Sequence, residues 1–355
     1  MNFEVARDDL HRTRVVESDP AALADGEARL AVRRFGFSAN NVTYAVFGDV
    51  MRYWSFFPAE QGWGRIPVWG FAEVVEANGS GLTEGELVYG YLPMGSELVA
   101  VPTRVGERGF TDASAHRAQL PAAYNGYTRC ATDPVYDPDT EALQMLFRPL
   151  FMTDFVLDDW LADNDTFGAE VAVLSSASSK TAFGLAHLLA RRAGGPEVVG
   201  LTSAGNVDFV DGLGVYDQVL TYDDIAALGA DRPAVYIDMA GDTGVRLAVH
   251  TQMRGLTASV QVGGTHWEHV GGGGDLPGPT PALFFAPDQV VKRRRDWGAE
   301  GIDARFAEAW GAFLPVVADW IRVVERTGPD QVEATYREVL DGDADPADAF
   351  VLSVS

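Results

Sequence analysis

The residues with the clearest capacity for chemistry are hydroxyl side chains that follow a short apolar stretch. The hydroxyl-rich loop, residues 175–181 (SSASSKT), comes directly after the apolar residues 171–174 and before a helical pattern. Ser175, Ser178 and Thr181 stand where glycines would stand in a phosphate-binding turn of the type G-x-x-G-x-x-G. Small residues let the backbone approach a phosphate, and a helix N-terminus attracts the anion. The loop therefore predicts a pyrophosphate site, and the alternative is an ordinary serine-capped helix start.

Lys180 adds a positive charge to this loop. The chain has 355 residues, 51 of them acidic and 27 basic, with a formal net charge of -24, and its lysines are Lys180 and Lys292. Because an ammonium group at a helix N-terminus is unfavourable without an anion, Lys180 is predicted to contact a cofactor phosphate or the substrate. The alternative is that its side chain extends to solvent. A surface this acidic repels phosphate backbones and anionic lipids, so neither nucleic acid nor membrane is expected as a partner.

Alternating strands and helices must position this loop. Apolar runs that are typical of buried strands lie at 170–174, 197–201, 218–220, 234–238 and 257–262. A helical pattern at 181–193 follows the first run. Such alternation predicts a parallel sheet with right-handed crossovers.

The first hundred residues follow a different pattern. Short segments between glycine and proline turns predict the strands of a small barrel or sandwich at 26–32, 68–77, 87–91 and 97–101. Further helices are predicted at 141–155, 157–162, 305–326 and 329–340. A closing strand is predicted at 349–354, so we expect the end of the chain to return to the first domain.

In their order and spacing, these segments resemble the medium-chain dehydrogenase/reductase superfamily, and in particular its zinc-independent, quinone-oxidoreductase-like branch. The resemblance covers nearly the whole chain and rests on the segments 36–41 (GFSANN), 70–75 (GFAEVV), 82–88 (LTEGELV), 217–222 (DQVLTY) and 237–241 (IDMAG). The chain departs from the family in two places. Serine and threonine replace the glycines of the phosphate loop, and Asn41 stands where the family has aspartate or cysteine.

The resemblance implies an α/β fold with two domains. A GroES-like, mostly-β substrate domain would occupy residues 1–135, and a Rossmann-type dinucleotide-binding domain with a parallel sheet would occupy 136–285. Residues 286–355 would return to the substrate domain. With a single cysteine, Cys130, the chain cannot supply the ligands of the zinc-dependent branch, so no metal is expected.

NADP is the predicted cofactor, in preference to NAD. An NAD site places an acid at the end of the second strand, whereas here the first acid after residue 201 is Asp208. An acid would repel a 2′-phosphate, which the resemblance places among Ser203, Asn206 and Tyr222. The complete predicted cofactor site is Thr153, Ser175, Ser178, Ser179, Lys180, Thr181, Ser203, Asn206, Tyr222, Ala240, Gly263 and Phe285.

Residues that the resemblance places near the nicotinamide are candidates for proton transfer and substrate binding. Tyr44 and Tyr53 could donate a proton, Asp154 could act as a base or orienting group, and His266 could act as acid or base. Lys180 completes this catalytic set. The predicted substrate contacts are Asn41, Trp54, Tyr124 and Tyr127. The structural alternatives are that the aromatic residues fill the barrel core, that Asp154 caps a turn and that His266 lies at the surface.

Three functions stay open at this point. The first is an NAD(P)H-dependent reductase of a carbonyl, enone or quinone. The second is a redox-neutral carbonyl enzyme on the same scaffold, such as a retro-aldol carbon–carbon lyase. The third is a nucleotide-sensing binding protein.

The cellular location and the oligomeric state of the protein are also predicted. The acidic start of the chain (MNFEVARDDL) is unlike a signal peptide, and no apolar stretch approaches the length of a membrane span, so a cytoplasmic location is expected. Relatives commonly form dimers by pairing edge strands. The run 257–262 is a candidate edge strand, which predicts a homodimer.

Overall fold

The computed structural model describes residues 1–17, 19–262 and 276–355. These residues form two compact units: unit 1 contains Met1–Leu146 and Ile321–Ser355, and unit 2 contains Phe147–Trp320. The chain therefore leaves unit 1 after Leu146 and returns to it at Ile321. The predicted domain boundaries lie after residues 135 and 285.

The strands and helices are numbered here in chain order. The strands are β1 Asn2–Ala6, β2 Asp9–Val16, β3 Ala28–Phe37, β4 Trp63–Gly64, β5 Pro67–Ala77, β6 Leu87–Pro93, β7 Glu97–Ala100, β8 Pro102–Gly106, β9 Gly109–Asp112, β10 Gly126–Arg129, β11 Val171–Leu174, β12 Glu197–Thr202, β13 Gln218–Thr221, β14 Ala234–Asp238, β15 Leu256–Gln261, β16 Ala282–Leu283, β17 Arg322–Thr327 and β18 Asp348–Ser353. The α-helices are α1 Ala39–Val46, α2 Glu141–Asp163, α3 Lys180–Ala190, α4 Val207–Gly212, α5 Thr243–Gln252, α6 Ala286–Trp320 and α7 Pro329–Leu340.

Unit 1 is mostly β-structure. A small sheet has the order β2-β1-β4, and a larger one has the order β17-β18-β3-β5-β6-β10-β9-β8, with β7 also paired to β3. The predicted strands at 26–32, 68–77, 87–91 and 97–101 correspond to β3, β5, β6 and β7. The closing strand is β18, which belongs to the segment Ile321–Ser355 of unit 1.

The prediction of a helix over 305–326 is wrong at its C-terminal end. α6 ends at Trp320, and Arg322–Thr327 forms β17. This segment contains two β-branched valines and pairs in parallel with β18, from Arg322 opposite Asp348 to Thr327 opposite Ser353. Pairing with a distant strand overrides the local helical pattern, which is the kind of tertiary effect that periodicity does not contain.

Unit 2 contains a sheet of six strands in the order β13-β12-β11-β14-β15-β16, and every pairing is parallel. Counted within unit 2, this is the doubly wound order 3-2-1-4-5-6, whose direction of winding reverses between β11 and β14. Ligands of such sheets bind outside the carboxyl ends of the strands at this point of reversal. The hydroxyl-rich loop follows β11 directly.

The sheet of unit 2 is buried on both faces. Ala172 and Leu174 belong to one apolar cluster, and Val171 and Val173 belong to another. Because successive side chains of a strand point to opposite faces, these two clusters lie on the two sides of the sheet. This explains why the strand sequences are continuous apolar runs rather than alternating patterns.

The prediction of an edge strand at 257–262 is wrong. β15 is flanked by β14 on one side and by β16 on the other, and the described edge of the sheet is the two-residue strand β16. None of the helices in the described part of the chain has the length and apolar character of a membrane span.

Candidate functional site

The hydroxyl-rich loop makes a tight turn between β11 and α3. Ser176 has a φ of 51°, in the left-handed region that favours glycine. The Ala177 N–H donates to the carbonyl oxygen of Leu201 at 2.9 Å, so the turn is fixed to the end of β12. The turn thus forms here without the glycines that are usual in a phosphate-binding turn.

Side chains from the elements after β12 hold three consecutive residues of this loop. The contacts are the Ser176 N–H to Tyr222 Oη at 3.0 Å, Tyr216 Oη to the Ala177 carbonyl oxygen at 2.9 Å, and Asn206 Nδ2 to Ser178 Oγ at 3.1 Å. Burial raises the pKa of Tyr222 to about 12, so its phenol is neutral at physiological pH. Sequence reasoning missed Tyr216, which lies one residue before the motif at 217–222.

The N-terminus of α3 has the composition of an anion site. Ser179 is its N-cap, and its Oγ accepts the Ala182 N–H at 3.3 Å. Lys180 and Thr181 begin the helix with half-buried side chains, and no acid lies in the first turn. Hydroxyl groups, an ammonium group and a helix N-terminus are the donors that a diphosphate requires, so these residues fit the phosphates of a dinucleotide.

Ser175 has a different environment from the rest of the loop. It is fully buried, and its hydroxyl donates to Asp238 Oδ1 at 3.0 Å. Ser175 Oγ also accepts the N–H groups of Met239 at 3.0 Å and Ala240 at 3.1 Å. The hydroxyl hydrogen of Ser175 is therefore used within the protein, and the expectation that it donates to phosphate needs correction: Ser175 joins the ends of β11 and β14.

A buried ion pair completes this joint. Asp238 Oδ2 accepts from Arg246 Nε at 2.8 Å, and the two side chains are 1% and 3% exposed. Asp238 Oδ1 also accepts the Gly241 N–H at 2.9 Å. The turn after β14, which contains the predicted cofactor residue Ala240, is thus fixed by one carboxylate at the point where the sheet reverses its winding.

Asp154 belongs to the part of α2 that lies in unit 2, and its side chain packs against α3. Its side chain is fully buried, and both carboxyl oxygens lack hydrogen-bond partners. Burial, followed by the neighbouring Asp158, raises its pKa well above the ordinary value. A Cβ atom at Gly184 would overlap Asp154 Oδ2, so the carboxyl group packs directly against the backbone of α3. An enclosed carboxyl group whose protonated form is favoured by burial does not support the predicted role as a base.

Gly184→Ala is expected to destabilise the protein by about 1–3 kcal/mol, because the added methyl group must displace the Asp154 carboxyl group. The free energy of unfolding in urea measures this loss. Gly311→Ala is the matched control, since it lies in α6 with no atom within 4 Å of an added Cβ. That substitution should stabilise the protein by about 0.5–1 kcal/mol, and the same sign for both variants would contradict the packing at Gly184.

Unit 1 brings several predicted aromatic residues together. The tyrosine cluster consists of Tyr44, Tyr53, Tyr91 and Tyr124, with ring centroids 4.7 Å apart for Tyr44 and Tyr53 and 4.8 Å apart for Tyr91 and Tyr124. Tyr44 and Tyr91 are buried, whereas Tyr53 and Tyr124 are half-buried. Burial raises the pKa of all four phenols. They are therefore neutral hydrogen-bond donors at physiological pH.

Two predicted substrate residues have structural roles instead. The buried Asn41 side chain accepts the Ser38 N–H at 2.9 Å and donates to the Pro67 carbonyl oxygen at 3.0 Å, so it fixes the start of α1 to β5. Trp54 is 3% exposed and lies where a Cβ at Gly64 would overlap its ring. Trp54 therefore fills the core of unit 1, which is the structural alternative to a substrate contact.

Tyr127 also belongs to the interior of unit 1. Its hydroxyl donates to the Tyr91 carbonyl oxygen at 2.6 Å. Beside it lies Arg117, fully buried, whose Nε is 3.1 Å from Asp112 Oδ2 and whose guanidinium lies 4.8 Å from the Phe57 ring centroid. Sequence reasoning missed this buried ion pair, because neither residue belongs to a motif.

The remaining predicted site residues that the structure describes lie on different elements. Ser203 is exposed after β12, Phe285 is half-buried just before α6, and Thr153 is half-buried in α2. Gly263 and His266 lie outside the described residues, so their roles stay predictions. Within residues 1–17, 19–262 and 276–355, no group of three or more His, Cys, Asp or Glu side chains could hold a metal ion.

A family described as "Protein of unknown function (DUF2855)" matches residues 35–345. The chain belongs to this family. No curated protein matches the chain.

Solved structures share the fold over nearly the full length of the chain. CurA from Vibrio vulnificus in complex with NADPH has a TM-score of 0.64 and 12% identity, covering 100% of this chain and 99% of that one. The yhdH oxidoreductase from Salmonella enterica in complex with NADP has a TM-score of 0.54 and 14% identity, with coverage of 97% and 96%. The quinone oxidoreductase from Coxiella burnetii has a TM-score of 0.53 and 13% identity, with coverage of 100% and 99%. The predicted fold of the medium-chain dehydrogenases/reductases, with Rossmann-type and GroES-like parts, is confirmed.

Proposed function

We propose that this protein is an NADP(H)-dependent oxidoreductase that reduces a carbonyl, enone or quinone substrate without zinc. The observation that carries the proposal is the hydroxyl-rich loop at the carboxyl edge of β11, where the parallel sheet reverses its winding and α3 begins. Bound NADPH would supply the hydride. Ser178, Lys180 and Thr181 have the donor chemistry to hold its diphosphate.

Two further observations support NADP as the cofactor. The segment after β12, from Ser203 to Val207, contains no acid that would repel a 2′-phosphate. Two of the proteins that share this fold are described as complexes with NADPH or NADP.

The tyrosine cluster of unit 1 supports a flat, conjugated carbonyl compound as the substrate. Tyr53 and Tyr124 are half-buried with their ring centroids 6.1 Å apart, and they present phenol rings beside neutral hydroxyl groups. Aromatic faces stack on planar conjugated systems, and a neutral phenol can donate a hydrogen bond or a proton to a carbonyl oxygen.

The first test is dinucleotide binding. NADPH at about 100 times its Kd is expected to raise the free energy of unfolding by about 2.7 kcal/mol, because it binds only the folded protein. The rise in Tm measures this effect, with NADH as the comparison. If neither dinucleotide raises the Tm, the proposal is wrong.

The second test separates the reductase from the redox-neutral alternative. With a panel of quinones and enones, we expect one NADPH to be oxidised for each product formed, followed by absorbance and by product analysis. Product formation with no loss of NADPH absorbance would instead identify a lyase. Binding without turnover on the whole panel would favour a nucleotide-sensing protein.

A further inference from the structure

The three side-chain contacts to the hydroxyl-rich loop suggest how it keeps its shape without glycine. We propose that Asn206, Tyr216 and Tyr222 are positioning residues that hold the loop in its binding conformation before the cofactor arrives. It follows that Asn206 and Tyr222 do not select NADPH over NADH. This inference rests on the proposed function, since it concerns how the same loop binds a dinucleotide.

The contact with Tyr222 compensates for a strained residue. Ser176 adopts a φ of 51°. This conformation is less favourable for a residue with a Cβ atom than it is for glycine. Ser176 is 7% exposed, so its N–H group requires a partner within the protein, and Tyr222 Oη accepts it at 3.0 Å. The hydrogen bond to Tyr222 thus stabilises a turn that glycine could form through its conformational freedom alone.

Tyr216 holds the next residue by both packing and hydrogen bonding. Its hydroxyl donates to the Ala177 carbonyl oxygen at 2.9 Å. A Cβ atom at Gly200 in β12 would lie 2.9 Å from the side chains of both Ala177 and Tyr216. The missing side chain at Gly200 therefore allows Ala177 and Tyr216 to pack against β12.

These contacts predict how selectivity responds to mutation. Tyr222 Oη accepts a loop N–H, and Asn206 Nδ2 donates to Ser178 Oγ at 3.1 Å. Residues that act through the loop affect binding of the diphosphate, and NADPH and NADH both contain this group. A residue that contacted the 2′-phosphate would affect NADPH alone.

Tyr222→Phe tests the proposal by titration calorimetry with both dinucleotides. Loss of one hydrogen bond is expected to raise the Kd for NADPH and for NADH by the same factor, about fivefold. Adding Ser176→Gly to this variant should lower both constants again, because glycine adopts the left-handed conformation without strain. Weakening of NADPH alone would overturn the proposal, and so would failure of Ser176→Gly to restore binding.

Tyr336→Phe is the matched control. It removes another phenol hydrogen bond, from Tyr336 Oη to the Leu10 carbonyl oxygen at 2.8 Å in unit 1, and should leave both dissociation constants unchanged. Hydrogen exchange of the Ser176 amide in the cofactor-free protein gives a readout independent of binding. We expect faster exchange in Tyr222→Phe than in wild type or Tyr336→Phe, and equal rates would overturn the proposal. If the wild-type protein binds no dinucleotide, the proposed function fails, and this exchange experiment still decides whether Tyr222 holds the loop.

Discussion

Asp238→Ala is expected to destabilise the protein by about 3–5 kcal/mol, because it leaves the guanidinium of Arg246 buried without its carboxylate. The variant also removes the acceptor of the Ser175 hydroxyl and of the Gly241 N–H. These groups fix the ends of β11 and β14 to each other. The free energy of unfolding from urea titration measures the loss, and we expect dinucleotide binding to weaken with it.

Asp231→Ala is the matched control for this effect. Asp231 pairs with Arg254 at 2.9 Å, but the two side chains are 78% and 68% exposed. Because solvent screens such a pair, its removal should cost less than about 1 kcal/mol. Equal losses for Asp238→Ala and Asp231→Ala would show that burial of the Asp238–Arg246 pair has no energetic consequence.

The strands of unit 2 could be predicted from sequence because their burial leaves a simple signal. A strand covered on both faces, such as Val171–Leu174, is apolar at every position. The position of the hydroxyl-rich loop then follows from its place between a strand and a helix. β17 could not be predicted in this way, because its conformation depends on pairing with β18, which is distant in sequence.

The individual roles of site residues were harder to predict, because they depend on contacts between segments far apart in sequence. Ser175 and Ser178 have the same side chain in the same loop. The Ser175 hydroxyl donates a hydrogen bond to Asp238, whereas Ser178 Oγ accepts one from Asn206. Tyr216 lies just before β13, which pairs with β12, and its hydroxyl contacts the loop at Ala177. Residue type and spacing locate the site but do not assign each hydroxyl a partner.

Asp154→Asn should remove a loss of stability that the wild-type protein undergoes as pH rises. Burial raises the pKa of Asp154 in the folded state above its value in the unfolded chain. As pH rises above about 4, the unfolded chain releases this proton while the folded protein retains it, so wild-type stability falls by up to about 1.4 kcal/mol per pH unit. The asparagine variant has no such proton. We expect the two proteins to be equally stable near pH 3 and the variant to be the more stable at pH 7.

Asp163→Asn is the same substitution at another carboxyl group, and we expect it to have the opposite effect on stability at pH 7. Hydrogen bonds from Arg293 and Lys292 lower the pKa of Asp163 to about 2, so its carboxylate stabilises the folded state above the ordinary carboxyl pKa. That contribution is lost as pH falls towards 2, and Asp163→Asn should therefore be less stable than wild type at pH 7. Urea titrations of the three proteins between pH 3 and pH 7 measure both slopes. Parallel curves for wild type and Asp154→Asn would mean that Asp154 is ionised in the folded protein, and its predicted role as a base would then regain support.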